Sequence, residues 1–254
     1  MKLGLHAWEM GKVRDLATMV EICKESGMAS FEIMQRDDFK SCVPLDSTPE
    51  QRAEIKRMFE QAALPIAALA LEIRYDVPDQ DTVRASIEKT KRYVDLAKDV
   101  GAPRLRCLGD CFRESLTREQ TMTQVSAALR EICEYADPLG IDCPVEMHGD
   151  FSVWQVALDC VQRVDHPRCY LVHNGSPRNF TPGDWDEIWA KVQPHVKHVH
   201  IHDVLSDRFD CKRFLLTLQD SGYDGFISLE LAPSDDPVRV LKLTKALVDE
   251  WLGR

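Results

Sequence analysis

Three stretches of the sequence set carboxylates, imidazoles and hydroxyls two residues apart. Glu146, His148 and Asp150 alternate with Val145 and Met147. His198, His200 and His202 alternate with Val199 and Ile201, and Ser228 and Glu230 alternate with Ile227 and Leu229. Side chains two apart in a strand share a face. Each stretch therefore reads as a strand with one apolar side and one side carrying groups that transfer protons or bind metals. Shorter patterns add His6 and Trp8 after Leu3 and Leu5, Glu32 between Phe31 and Ile33, and Arg104 and Arg106 around Leu105. Taken singly, a Glu or His near a strand end is most often a solvated or locally bonded group. Converging on one site, several acids and imidazoles are costly unless something pairs them, and a divalent cation is the economical partner. No Cys occupies these positions. Mixed carboxylate and imidazole ligation suits Mn²⁺, Mg²⁺, Co²⁺ or Zn²⁺, without choosing among them.

The elements that position these residues follow a regular rhythm. Strand patterns fall near 2–8, 30–34, 65–72, 103–108, 141–148, 168–174, 196–202 and 226–231, each followed by a helix pattern. Met122, Val125, Leu129, Ile132 and Ala136 step by three and four, as do Val83, Ile87, Val94 and Ala97 with one gap. Thr48-Pro49-Glu50-Gln51, Thr117 with Gln120, and Thr181-Pro182 mark helix starts. Gly27, Gly101, Gly140 and Gly222 mark helix ends. Eight strand–helix units in 254 residues predict a closed (β/α)8 TIM barrel, in the α/β class, forming a single domain over 1–254. An open doubly wound sheet would usually show a G-x-G-x-x-G loop after the first strand, and Trp8-Glu9-Met10-Gly11 does not. In a barrel of this kind, polar residues at strand C-terminal ends gather where active sites lie.

Composition narrows the function classes. The chain is 44% hydrophobic and 29% charged, enough to bury a sizeable core. Lys and Arg number 32 against 42 Asp and Glu, for a net charge of -10, which argues against a nucleic-acid partner. No apolar run approaches the ~20 residues that span a bilayer, and the N-terminal residues lack a signal-peptide pattern. Nine cysteines, without zinc-ribbon spacing, read as thiols of a reducing cytoplasm. Trp154, Phe180 and Trp185 fit either subunit contacts of a homo-oligomer or a lid.

Three motifs carry a resemblance. Pro144-Val145-Glu146-Met147-His148-Gly149-Asp150 resembles the fifth-strand E-x-H-G element of the xylose-isomerase-like sugar phosphate isomerase/epimerase superfamily. His198-Val199-His200-Ile201-His202-Asp203 resembles its seventh-strand H-x-H-x-K-D. Gly222-Tyr223-Asp224-Gly225-Phe226-Ile227-Ser228-Leu229-Glu230 resembles its closing G-Y-D-G-x-x-S-x-E. The resemblance runs over nearly the whole chain in element order. It implies one divalent metal held by Glu146, Asn174, His200 and Glu230. Position 174 departs from the family, which usually has Asp there. The substitution leaves Glu146, Glu230 and the metal summing to zero charge, so the expected effect is weaker metal binding or a preference for a metal with better affinity for His. His202 departs from a family Lys.

The resemblance also implies a chemistry. The metal binds adjacent hydroxyl and carbonyl oxygens of a small sugar or polyol as a Lewis acid and holds the enediolate formed on proton removal. Glu146 and Glu230 are then the acid–base pair. His6, Trp8, Glu32, Arg106, His148, His202 and Arg208 are candidates for holding substrate. Arg106 would meet an acidic group on the substrate or neutralise Glu32, and His198 reads as a core histidine. Three rivals remain at this stage: a dehydratase of the inosose or dehydroshikimate type on the same site, a non-catalytic sugar-binding barrel, and a DNA repair endonuclease. The last implies three metals and further ligands on the third strand, which here reads Ile66-Ala67-Ala68-Leu69-Ala70-Leu71.

Overall fold

A computed structural model describes residues 1–175 and 185–254. Among them, strands and helices alternate in the order β1 (Lys2–His6), α1 (Met10–Val13), α2 (Leu16–Ser26), β2 (Phe31–Gln35), α3 (Pro49–Gln61), β3 (Ile66–Leu71), α4 (Gln80–Val100), β4 (Leu105–Leu108), α5 (Arg118–Ala136), β5 (Val145–Glu146), α6 (Trp154–Val164), β6 (Leu171–Gly175), α7 (Trp185–Val192), β7 (Val196–Ile201), α8 (Cys211–Asp220), β8 (Phe226–Leu229) and α9 (Pro237–Trp251). The strands close into a parallel barrel in sequence order. This is the (β/α)8 architecture that the alternation predicts.

Local chemistry sets the helix limits. Thr48 and Thr117 each form a complete capping box with Gln51 and Gln120. Each box satisfies two backbone groups that a helix N-terminus leaves unbonded. Gly27 and Gly101 end α2 and α4 in the left-handed region, at φ 71° and 83°, where a side chain would clash with the following carbonyl. The start expected at Thr181-Pro182 lies outside the described residues.

The chain forms two compact units. Met1–Leu69 and His198–Arg254 belong to one, and Ala70–Asn174 makes up most of the other. In the first, β1 pairs with β2 and β8, and β7 pairs with β8, setting His6 beside Glu32 and His200 beside Ser228. Leu5, Phe31, Ile33, Leu215 and Ile227 are wholly buried there. In the second, β5 lies between β4 and β6. The stripes on α4 (Val83, Ile87, Val94, Ala97) and α5 (Met122, Val125, Leu129, Ile132, Ala136) are buried in this unit. Burying each large aliphatic side chain contributes about 1.5–3 kcal/mol.

β5 is shorter than its pattern suggests. Pro144 has no N–H to give a ladder, and beyond Glu146 the chain folds back, with His148 N donating to Glu146 O at 2.9 Å. A 3-10 turn at Gly149–Ser152 follows. All nine cysteines are free thiols, seven of them buried, with Cys42 and Cys111 half-buried. Among the described residues, no helix is long and apolar enough to cross a membrane.

Candidate active site

In the first unit, β2 enters with Phe31 and Glu32, so Glu32 lies near the start of its strand rather than at its C-terminal end. Its side chain is fully buried. Ser228 Oγ donates to it at 2.7 Å, and the Nε2 atoms of His198 and His200 lie at 2.8 Å and 3.0 Å. His6 Nε2 is 3.8 Å away. Burial alone would raise this carboxyl, but the imidazoles of His200, His198 and His6 outweigh it and hold it well below the ordinary carboxylate value. Glu32 was a candidate to accept from substrate hydroxyls; the structure instead surrounds it with protein donors. His198 is the buried core histidine that its position suggests.

Glu230 lies one residue past β8 and extends the ladder, its N–H donating to Ile201 O at 2.8 Å. Its side chain is 9% exposed and meets three imidazoles: His202 Nε2 at 3.1 Å, His200 Nδ1 at 3.3 Å and His6 Nδ1 at 3.6 Å. His200 thus bridges two carboxylates, deep Glu32 and shallower Glu230. Trp8 is half-buried with its ring 6.1 Å from that of Phe39. Arg208 is exposed in the loop after β7, where its N–H donates to Ser206 Oγ at 3.3 Å.

In the second unit, Glu146 ends β5, and both its oxygens face protein groups. Arg106 Nε lies 3.0 Å from Oε2, and Asn174 Nδ2 donates to Oε1 at 2.5 Å. Arg106 also donates to Leu71 O at 2.7 Å. Arg106 is only 3% exposed, and Glu146 is a partner that the sequence reading did not consider for it. His148 projects outward, its side chain 48% exposed, with Nδ1 2.5 Å from Asp110 Oδ1. Asp110 also pairs with Arg74.

The sequence reading missed Asp110. It lies two residues past β4 in left-handed backbone, φ 67°, a conformation that Asp tolerates better than most residues. Asp150 N donates to Asp110 O at 2.7 Å. A Cβ on Gly149 would lie 2.5 Å from that same oxygen, so only glycine lets the two loops meet. The available signal was an acid just beyond a barrel strand, in Leu108-Gly109-Asp110.

Of the aromatic residues assigned to a lid or subunit contact, Trp185 is 7% exposed and stacks on Trp189 at 5.7 Å. It packs inside its own unit. Trp154 is half-buried at the start of α6, and Phe180 lies outside the described residues.

No curated protein matches the sequence. Solved structures do. The 3-keto-D-glucoside 4-epimerase of E. coli aligns over 98% of this chain and 99% of its own, at 15% identity and TM-score 0.82. D-psicose 3-epimerase from Clostridium cellulolyticum H10 aligns over 99% of both chains, at 14% identity and TM-score 0.82. The IolI protein with a bound zinc atom aligns over 99% of both chains, at 16% identity and TM-score 0.76. At these identities the likeness is one of fold. The xylose isomerase-like TIM barrel family matches residues 20–247. Nine-tenths of the sequence thus follows one family pattern, and the chain belongs to the xylose isomerase-like TIM barrel family.

Proposed function

We propose that this protein is a divalent-metal-dependent isomerase or epimerase of a small sugar or polyol, working by proton transfer next to a carbonyl. The observation that carries the reading is the setting of Glu230. It is a nearly buried carboxylate at the end of its strand, with imidazole nitrogens at 3.1, 3.3 and 3.6 Å. This donor set fits a borderline divalent cation. Glu146 and Asn174, at the ends of β5 and β6, complete the proposed ligand set with His200 and Glu230. The relatives support the substrate class and the metal, since two are described as epimerases of sugars and a third holds zinc.

The metal, when bound, polarises neighbouring hydroxyl and carbonyl oxygens and acidifies the adjacent C–H. Glu146 and Glu230 remove and return the proton. Arg106 and Asn174 orient the Glu146 carboxylate by the two contacts described. His148, steered by Asp110, offers a half-exposed donor to a substrate hydroxyl, and His6, His202, Trp8 and Arg208 remain candidates for substrate contact. The net charge of -10 and the nine free thiols support a cytoplasmic protein with a small-molecule partner rather than nucleic acid.

The test pairs metal analysis with isotope exchange. Purified protein should hold about one equivalent of divalent metal, and chelation should abolish turnover of a panel of ketoses and keto-glycosides. Turnover in D₂O should place deuterium on the carbon whose configuration changes. Full activity after complete chelation would overturn the reading.

Asn174→Asp is expected to tighten metal binding by about tenfold or more. Two unit charges 4 Å apart at an effective dielectric constant of 20 interact by about 4 kcal/mol, and the double charge of the ion raises this to about 8 kcal/mol. Repulsion from Glu146, whose Oε1 now receives the Asn174 amide at 2.5 Å, offsets part of this. That repulsion also makes the metal-free variant less stable than the metal-free parent. Metal titration by calorimetry and thermal melts with and without chelator measure both effects. Unchanged or weaker binding would remove Asn174 from the ligand set.

A further inference from the structure

One imidazole stands between two acids. His200 Nε2 lies 3.0 and 3.1 Å from the two oxygens of Glu32, while its Nδ1 lies 3.3 Å from Glu230 Oε1. A neutral imidazole has one N–H to give. Given to Glu230, it would turn the Nε2 lone pair onto a fully buried anion, where the low dielectric makes such repulsion most costly. Given to Glu32, it satisfies the buried acid and turns the Nδ1 lone pair toward Glu230. Two acceptors then face each other across a gap that a cation closes favourably.

The neighbouring histidines have the same orientation. Trp8 N–H donates to His6 Nδ1 at 2.9 Å, which leaves the proton of neutral His6 on Nε2, the nitrogen on the Glu32 side. His198 also presents Nε2 to Glu32. Three imidazoles thus turn the same nitrogen toward one buried carboxylate.

We propose that Glu32 is a positioning residue that fixes the Nε2–H form of His200 and so reserves Nδ1 for the metal beside Glu230. This rests on the reading above that a divalent cation binds at Glu230. A carboxylate behind a metal-binding histidine sets ring orientation and raises the basicity of the ligating nitrogen, and its loss costs about 10–100-fold in metal affinity. His6, Glu32 and His200 could instead hold an ion themselves, since their ligand atoms lie within 4.8 Å of one another. Against this, Glu32 Oε2 already faces Ser228 Oγ at 2.7 Å and His198 Nε2 at 2.8 Å, the setting of an orienting acid.

The experiment uses Zn²⁺ as probe on the full chain. Competition titration against a chelator gives the affinity of the parent and of Glu32→Gln. Long-range proton–nitrogen correlation spectra of the zinc-loaded parent identify which His200 nitrogen carries hydrogen and which carries metal. The expected results are zinc on Nδ1, hydrogen on Nε2, and about a 10–100-fold weaker affinity in Glu32→Gln. Zinc on Nε2, or a Glu32→Gln affinity within threefold of the parent, would overturn the proposal while leaving the metal reading intact. A parent that binds no zinc would instead overturn the metal reading, and this inference with it. Should Glu32→Gln fail to fold, the parent spectrum alone decides between Nδ1 and Nε2.

Discussion

Glu230→Gln and Glu146→Gln should each lower turnover by about 10²–10⁴-fold, the range that a positioned acid or base contributes. The amide keeps one oxygen that can face a metal but loses the ability to take a proton, so metal content should fall far less than turnover. The two variants should differ in stability. Glu230 is 9% exposed among imidazoles, side chains that can stand neutral without an acid partner. Glu146 faces Arg106 with both side chains almost fully buried, and a guanidinium cannot shed its proton. Removing one partner of a buried ion pair costs about 3–5 kcal/mol. Glu146→Gln should therefore melt well below Glu230→Gln, and its kinetics must be measured below that melting range. Steady-state kinetics, elemental analysis and thermal denaturation of both variants check these expectations. Turnover within threefold of the parent in either variant would remove that residue from the proton-transfer pair.

A second large effect should appear in acid. His173, on β6, is buried edge-on against Trp185 and Trp189, with ring centres at 5.6 and 6.1 Å. Burial pushes its imidazole down to about 4. The unfolded chain gains this proton near pH 6.5, whereas the folded chain gains it only near 4. The contribution is therefore fully present above 6.5, declines as the pH falls through that window, and levels off below about 4. At about 1.36 kcal/mol per unit, the full loss is about 3 kcal/mol. His173→Phe keeps a ring against the tryptophans and cannot titrate. Urea unfolding at pH 7 and pH 4.5 should show that the variant loses about 2–3 kcal/mol less than the parent between the two conditions. An equal loss in both proteins would assign the acid sensitivity elsewhere.

The barrel was legible because its signal is local. Alternation in His198 to His202 and in Ile227 to Glu230 shows which side chains share a face, and the capping sequences at Thr48 and Thr117 show where helices start. Depth was not legible, because it depends on register between strands distant in sequence. Glu32 and Glu230 both follow an apolar residue, yet Glu32 is the second residue of its strand and Glu230 lies just past the end of its own. Pairing of His6 with Glu32 and of His200 with Ser228 makes one acid an interior anchor and leaves the other at the strand ends. Arg106 shows the same limit. Its face was readable, but the choice of Glu146 as partner depends on β4 lying beside β5. Asp110 escaped for another reason. Its left-handed backbone breaks the alternation that projects strand residues, so the approach of His148 could not be extrapolated from the β4 pattern.

The thiols turn the packing of this protein into something that can be counted. Seven of nine sit where a reagent in water cannot reach, and only Cys42 and Cys111 are partly open. A folded molecule offers at most two sulfurs to an alkylating agent, and an unfolded one offers nine. Mass added per chain under mild labelling therefore reports the fraction of open molecules directly, with no engineered probe. The same asymmetry makes unfolding hazardous in an oxidising medium, because each opening exposes seven extra partners for mispaired disulfides.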